Sequence, residues 1–308
     1  MPAPAPTTGR LDLFGLREEP LRWEAAVRAE QERAVHDPAA AELLRSIYCE
    51  SDRAAAFERF WRSFELETTL ALLARVGVRL GDRIVEIGGG PGWLGWALHR
   101  RGYYALEMLE PNDQFTTGTG YLRTRQDAQD IRIWNDLDRW YDARQTYDVV
   151  LTHNCVHHFG NISYVAACIR ENLRPGGRWV MLREPYADTA DDLYRFFETH
   201  PYARKYRVFE YAFPAAHYVD ALELAGFRAE IVLPEGYANG TLATFSETPG
   251  GLRTRLLTRL MDALTTLAPE STNKLFRVER IAGLLTGRRL SGFSRPAAVV
   301  FRRVEVAK

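Results

Sequence analysis

The sequence predicts an α/β protein built on a doubly wound, mostly parallel sheet, with a helical region before the sheet and a helical insertion ahead of its last strand. Three observations carry that expectation. Arg83 to Ile87 is a short apolar run that enters four glycines, Gly88, Gly89, Gly90 and Gly92, and an apolar helical pattern follows from Trp93 to Leu98. Short apolar strands then alternate with helical patterns across residues 80–233, as parallel strands joined by crossover helices do. On either side of that block the patterns are helical.

Residues 1–19 begin with an uncharged Pro/Ala/Thr-rich stretch from Met1 to Gly9. It lacks the basic flank and long apolar run of a signal peptide, so a loosely ordered N-terminus is expected. Residues 20–79 read as a helical cap, with Asp37-Pro38 as a helix start. Phe57, Phe60, Trp61 and Phe64 fall at i, i+3, i+4 and i+7, one face of a helix that packs on the core or walls a substrate site. Residues 80–233 form the core, with strands at Arg83–Ile87, Tyr104–Glu110, Ile131–Asp136, from Tyr147 onward, up to Leu182, and at Arg228–Leu233. Residues 234–295 read as an insertion, where Leu252, Leu256, Leu257, Leu260 and Leu264 have the spacing of an ordered helical cap. Ala297 to Val304 supplies the seventh strand, within the final segment 296–308.

Composition narrows the function classes. At 308 residues the chain can bury a sizeable core. Forty basic residues balance forty acidic ones, so no global field draws it to nucleic acid or an anionic membrane. Cys49, Cys155 and Cys168 give no disulfide framework, and no segment reaches membrane-span length. A cytoplasmic enzyme acting on a small molecule is the expectation, with a homodimer left open.

The glycine loop has two readings. Gly90-Pro91-Gly92-Trp93-Leu94-Gly95 satisfies the dinucleotide fingerprint of nicotinamide enzymes, a weak signal alone. The other reading includes the acid inside the strand, as Glu86-x-Gly88-x-Gly90-x-Gly92. A carboxylate suits an ammonium-bearing cofactor better than a pyrophosphate. Glu110 closes the second strand 18 residues after Gly92, where an acid can accept both hydroxyls of a ribose. Asp136 closes the third strand. Tyr147-Asp148-Val149-Val150-Leu151-Thr152-His153 runs on to His157-His158, and Leu173-Arg174-Pro175-Gly176-Gly177 precedes the fifth strand.

These five ordered motifs, spanning about residues 80–185, resemble those of the class I S-adenosylmethionine-dependent methyltransferases. The resemblance implies a Rossmann-like seven-stranded sheet, S-adenosylmethionine as cofactor and S-adenosylhomocysteine as product. It implies a cofactor site of Glu86, Gly88, Gly90, Gly92, Glu110, Asp136, Leu137 and His153, with Asp136 meeting the adenine amino group. In that family the sixth and seventh strands form an antiparallel pair.

Methyl transfer to a hydroxyl requires loss of the hydroxyl proton, and His is the side chain suited to take it near neutral pH. His158, with His157 beside it, is therefore the expected general base. A structural role near the cofactor is the competing reading of the pair. A metal site from His153, Cys155, His157 and His158 does not match the usual zinc spacings, and no metal is expected. Glu184 either accepts a proton or caps a turn, and His217 reaches the site or lies exposed on a helix. Tyr186, Tyr194, Phe196, Phe197, Tyr202, Tyr206, Phe209, Tyr211 and Phe213 crowd one segment, which suits a lid over an apolar acceptor.

The Asn/Asp-Pro-Pro-aromatic loop of amino-methylating nucleic-acid enzymes is missing after the fourth strand, where Thr152-His153-Asn154-Cys155 stands. O-methylation of a sugar or secondary-metabolite hydroxyl therefore leads. A SAM-binding enzyme of pericyclic or decarboxylating chemistry, a non-catalytic partner subunit, and a nicotinamide-dependent oxidoreductase are the alternatives.

Overall fold

The computed structural model describes residues 19–199, 201–242, 263, 267–286 and 295–305. Four helices come first: α1 (Glu19–Ala34), α2 (Pro38–Ser46), α3 (Arg53–Trp61) and α4 (Phe64–Arg75). Asp37 starts α2 as expected, its carboxylate accepting from the amides of Ala39 and Ala40 with Pro38 in the first turn. Asp52 and Ser63 cap α3 and α4 in the same way.

The Ser63 cap changes the reading of the aromatic stripe. It ends α3 after Trp61, so Phe64 opens a new helix and is 82% exposed, while Phe57 and Phe60 are fully buried. Burying each of those two rings contributes about 1.5–3 kcal/mol, so core packing dominates the stripe.

The sheet has seven strands in the order β3-β2-β1-β4-β5-β7-β6. They are β1 (Ile84–Ile87), β2 (Leu106–Leu109), β3 (Arg132–Trp134), β4 (Tyr147–His153), β5 (Leu173–Leu182), β6 (Phe227–Leu233) and β7 (Ala298–Arg303). β1 to β5 pair in parallel, and β7 lies antiparallel between β5 and β6. The strand order reverses between β1 and β4, the point where open sheets of this kind bind ligands at their carboxyl edge.

Crossover helices α5 (Trp93–Arg100), α6 (Leu137–Asp142) and α7 (Ile162–Asn172) join the parallel strands. After β5 come α8 (Ala190–Thr199), α9 (Pro201–Lys205) and α10 (Ala215–Leu224), and α11 (Pro269–Thr286) precedes β7. α11 covers the outer strand: the Val232 amide donates to Thr272 Oγ1 (3.1 Å) and Asn273 Nδ2 donates to the Ala229 carbonyl (2.6 Å). Those bonds satisfy groups that an edge strand would leave unpaired. The leucine run Leu252, Leu256, Leu257, Leu260 and Leu264 lies outside the described residues.

Alternation along β1 sorts the core into two layers. Val85 and Ile87 join Tyr147, Trp179 and Phe301 on one face. Ile84 joins Phe57, Phe60, Trp96 and Met108 on the other, so α3 and α4 cover the same face as α5. A third cluster holds Ala26, Val27, Leu44 and Cys49 with Tyr202 and Val208. Two aromatics of the segment after β5, Tyr202 and Tyr206, thus pack on the N-terminal helices. Trp23 and Tyr202 meet edge to face at 4.4 Å, and Lys205 and Tyr206 both donate to Glu30. His217 lies exposed on α10, beside Phe213.

Candidate active site

The loop after β1 follows from its glycines. Gly88, Gly90 and Gly92 have φ of 68°, 51° and 86°, left-handed values that side chains disfavour. At Gly92 a Cβ would also lie 2.5 Å from Leu122 Cδ2. Gly95 has a different reason. A Cβ there would sit 2.6 Å from Glu86 Oε2, so its absence makes room for the buried acid of β1.

Two carboxyls lie beneath and beside this loop. Glu86 shares the face of Ile84 and is buried, and its Oε2 has no hydrogen-bond partner. Burial, with the nearby Glu110 adding to it, pushes its pKa up to about 8. Glu110 follows β2; its Oε2 accepts from the Gly90 amide (2.7 Å) and its Oε1 from the Asn112 amide (2.8 Å). Burial pushes Glu110 up to about 7, against the opposing pull of those two amides. Asn135 Nδ2 donates to the Glu110 carbonyl (2.7 Å), tying the end of β3 to this position.

Asp136 is exposed, and its Oδ1 caps α6 through the Arg139 amide (2.9 Å); Leu137 behind it is half-buried. The cap leaves the other carboxylate oxygen outside this bond.

The N-terminal helices reach the same edge through two buried glutamates. Glu24 of α1 accepts from the amides of Thr116 and Thr117 (3.1 and 2.9 Å) and from the Thr117 hydroxyl (3.0 Å). The Thr117 carbonyl is the nearest atom to a Cβ placed on Gly90, at 3.7 Å, so this segment lies against the glycine loop.

Glu65 of α4 bonds His153 Nε2 (2.7 Å), the Tyr48 hydroxyl (3.1 Å) and the Arg183 guanidinium. Burial opposes its charge, but Arg183 and then His153 outweigh that and hold Glu65 down at about 2. Trp93, the first residue of α5, packs against Tyr48 (5.1 Å), Phe60 (4.6 Å) and His153 (4.9 Å). His153 is therefore fixed by a cap residue on one side and the cofactor loop's own tryptophan on the other. Glu24 and Glu65 carry no motif in the sequence; each is a single acid whose partner lies far along the chain.

The His pair separates into two roles. His157 is buried in a 3-10 turn over Val156–His158, with Nδ1 on Glu184 (2.9 Å) and Nε2 on Glu210 (3.1 Å). The two carboxylates raise its pKa despite its burial. A charged imidazolium with both nitrogens donating cannot take a proton, so His157 does not fit the base role expected of it.

Glu184 also accepts the amides of Cys155 (3.0 Å), Val156 (2.9 Å) and His157 (3.2 Å). It is the cap of this turn, and its pKa is lowered by His157 and these amides in spite of burial.

His158 Nδ1 donates to the Phe209 carbonyl (2.8 Å), which fixes that nitrogen as the protonated one. Its Nε2 carries the lone pair, 3.7 Å from Glu210 Oε1 and beyond hydrogen-bond reach. Burial and the charge on His157 lower its pKa. The side chain remains 29% exposed.

A sheet that reverses between β1 and β4, with a glycine loop after β1 and acids after β2 and β3, has the arrangement of a nucleotide-binding fold. The family model described as a methyltransferase domain matches residues 56–231, so the chain belongs to that family and is a SAM-dependent methyltransferase. This assignment decides between the two readings of the loop in favour of methyl transfer.

Among solved structures, the YcgJ protein of Bacillus subtilis is similar at 11% identity with a TM-score of 0.47, covering 78% of this chain and 100% of its own. A SAM-dependent methyltransferase from Archaeoglobus fulgidus is similar at 14% identity with a TM-score of 0.44, covering 82% of this chain and 100% of its own. A search of curated proteins finds no match.

The residues present fit S-adenosylmethionine. Glu110 spends one acceptor position per oxygen on an amide, and a carboxylate has about four, which leaves one on each oxygen for a ribose diol. The unpartnered Glu86 Oε2 sits under the same loop.

Proposed function

We propose that the protein methylates a hydroxyl group of a small molecule, a sugar or a secondary metabolite, and that His158 receives the hydroxyl proton. The observation that carries this reading is the state of His158. It is an imidazole whose Nδ1 proton is held from behind by the Phe209 carbonyl, which leaves the lone pair on Nε2, in a side chain that is 29% exposed.

S-adenosylmethionine supplies an electrophilic methyl group on a sulfonium. Glu110 would hold the ribose through its two remaining acceptor positions, with Asp136 and Leu137 at the adenine and His153 beside Trp93 along the wall. The buried glutamates Glu24 and Glu65 support a cap of residues 20–79 over a core of 80–233 and 296–308.

A base with a lowered pKa is weak, so alignment carries most of the rate: well-oriented reactants reach effective molarities on the order of 10⁵ M or more. His157, held by Glu184 and Glu210, keeps His158 in place through ring contact at 4.1 Å.

Turnover with a panel of hydroxylated acceptors, followed as S-adenosylhomocysteine release, tests the reading. His158→Ala is expected to lower turnover by roughly 10²–10⁴ with S-adenosylmethionine affinity kept. His157→Ala is expected to lower melting temperature and cofactor affinity together. Full turnover in a folded His158→Ala would remove the base assignment. Tight cofactor binding with no S-adenosylhomocysteine from any acceptor would favour the pericyclic or decarboxylating alternative.

A further inference from the structure

Glu210 is a buried carboxylate that the proton transfer does not use. Its Oε2 lies 3.1 Å from His157 Nε2 and its Oε1 lies 3.7 Å from His158 Nε2. One donor atom from each of the three residues falls within 4.8 Å of the others. Two imidazoles and one carboxylate that converge in this way are the donor set of open zinc and iron sites.

We propose that His157, His158 and Glu210 form a binding site for a divalent first-row transition-metal ion of the zinc type. Three features support it. Each ring is oriented from behind through Nδ1, His157 by Glu184 and His158 by the Phe209 carbonyl, and this turns both Nε2 atoms toward Glu210. Such supporting bonds are what fix the tautomer and direction of metal-bound histidines.

The distances also suit an ion. With metal–ligand bonds of about 2.1 Å and Glu210 chelating through both oxygens, His157 Nε2 to Oε2 at 3.1 Å and His158 Nε2 to Oε1 at 3.7 Å subtend about 95° and about 125° at the metal, both workable for a four-coordinate ion. Access is the third: His158 is the partly exposed ligand and marks the way in. Ligand spacing in the sequence could not reveal the set, because Glu210 stands 53 residues beyond His157.

An ion there takes the His158 lone pair, so the loaded and unloaded proteins differ at the atom assigned to the proton. Binding itself does not depend on the acceptor or on methyl transfer, and a failure of either reading leaves the other measurable.

The experiment uses the full chain, stripped with a chelator and titrated with Zn²⁺ by calorimetry and with Co²⁺ by visible absorption. One ion per chain and the d–d bands of low-coordinate cobalt are expected. Glu210→Gln and His158→Ala should each weaken Zn²⁺ binding at least tenfold, and Glu184→Gln about 10–100-fold through loss of ring support. Circular dichroism and S-adenosylmethionine binding report whether each variant is folded. No saturable Zn²⁺ binding by the wild-type chain would overturn the proposal, as would wild-type affinity in folded Glu210→Gln and His158→Ala.

Discussion

Glu110→Ala is the sharpest probe of the cofactor assignment. The wild-type carboxylate accepts from Gly90 and Asn112, at 2.7 and 2.8 Å, and by the present reading also from two ribose hydroxyls. Hydrogen bonds to a charged acceptor contribute roughly 1.5–3 kcal/mol each, so losing both hydroxyl contacts removes about 3–6 kcal/mol at most. Two effects reduce that figure. Burial pushes the Glu110 pKa up to about 7, which weakens it as an acceptor near neutral pH, and water can enter the space that Ala leaves. A net loss of about 1.5–3 kcal/mol remains, a rise of roughly 10- to 100-fold in the dissociation constant. Calorimetry with S-adenosylmethionine on a variant shown to be folded measures it. A dissociation constant within about twofold of wild type would refute the ribose assignment.

Cofactor binding should also release protons. Glu110 and Glu86 sit at about 7 and about 8, and a sulfonium and two donating hydroxyls favour their ionised forms, so affinity should rise between about pH 6 and pH 8. Calorimetry in buffers of different ionisation enthalpy checks this, and a pH-independent affinity would exclude it. Gly90→Val should abolish S-adenosylmethionine binding while far-ultraviolet circular dichroism stays near wild type. Its Cβ would meet only the Thr117 carbonyl at 3.7 Å, whereas φ of 51° opposes a β-branched residue in the loop itself. Glu65 stabilises the fold above its ordinary pKa of 4.5, by up to about 3 kcal/mol, and loses this as pH falls from 4.5 toward 2. Urea unfolding of Glu65→Gln should therefore show a flatter decline in stability over that window, and an unchanged slope would count against the Glu65–Arg183–His153 network.

The sheet was legible because its signals are local. A short apolar run marks a strand wherever it falls, and all seven observed strands lie within or beside the runs read from the sequence. Asp37-Pro38 was legible for the same reason, since a cap and the first turn it serves are adjacent. Ser63 shows where such reading stops. The periodicity of Phe57, Phe60, Trp61 and Phe64 runs through it unbroken, yet its hydroxyl accepts the Leu66 amide and divides the pattern between two helices. A polar residue inside an apolar stripe is a cap or a solvent-facing position, and only the chain direction beyond it decides which.

The cofactor loop was legible as far as its own backbone, but the groups that hold the site together come from elsewhere. Glu24, Glu65 and Glu210 each make their defining bonds to residues more than 50 positions away, and nothing adjacent marks them out. They share one physical property: each is a buried carboxylate held by donors from another element. Burying a charge is costly unless it is paired, so each marks a contact that the fold must form to be stable. Two of them, Glu24 and Glu65, join the N-terminal helices to the loops at the carboxyl edge, and the third holds the His157 ring. Neutral replacement at these positions should loosen the site before it unfolds the sheet, because none of the three lies on a strand.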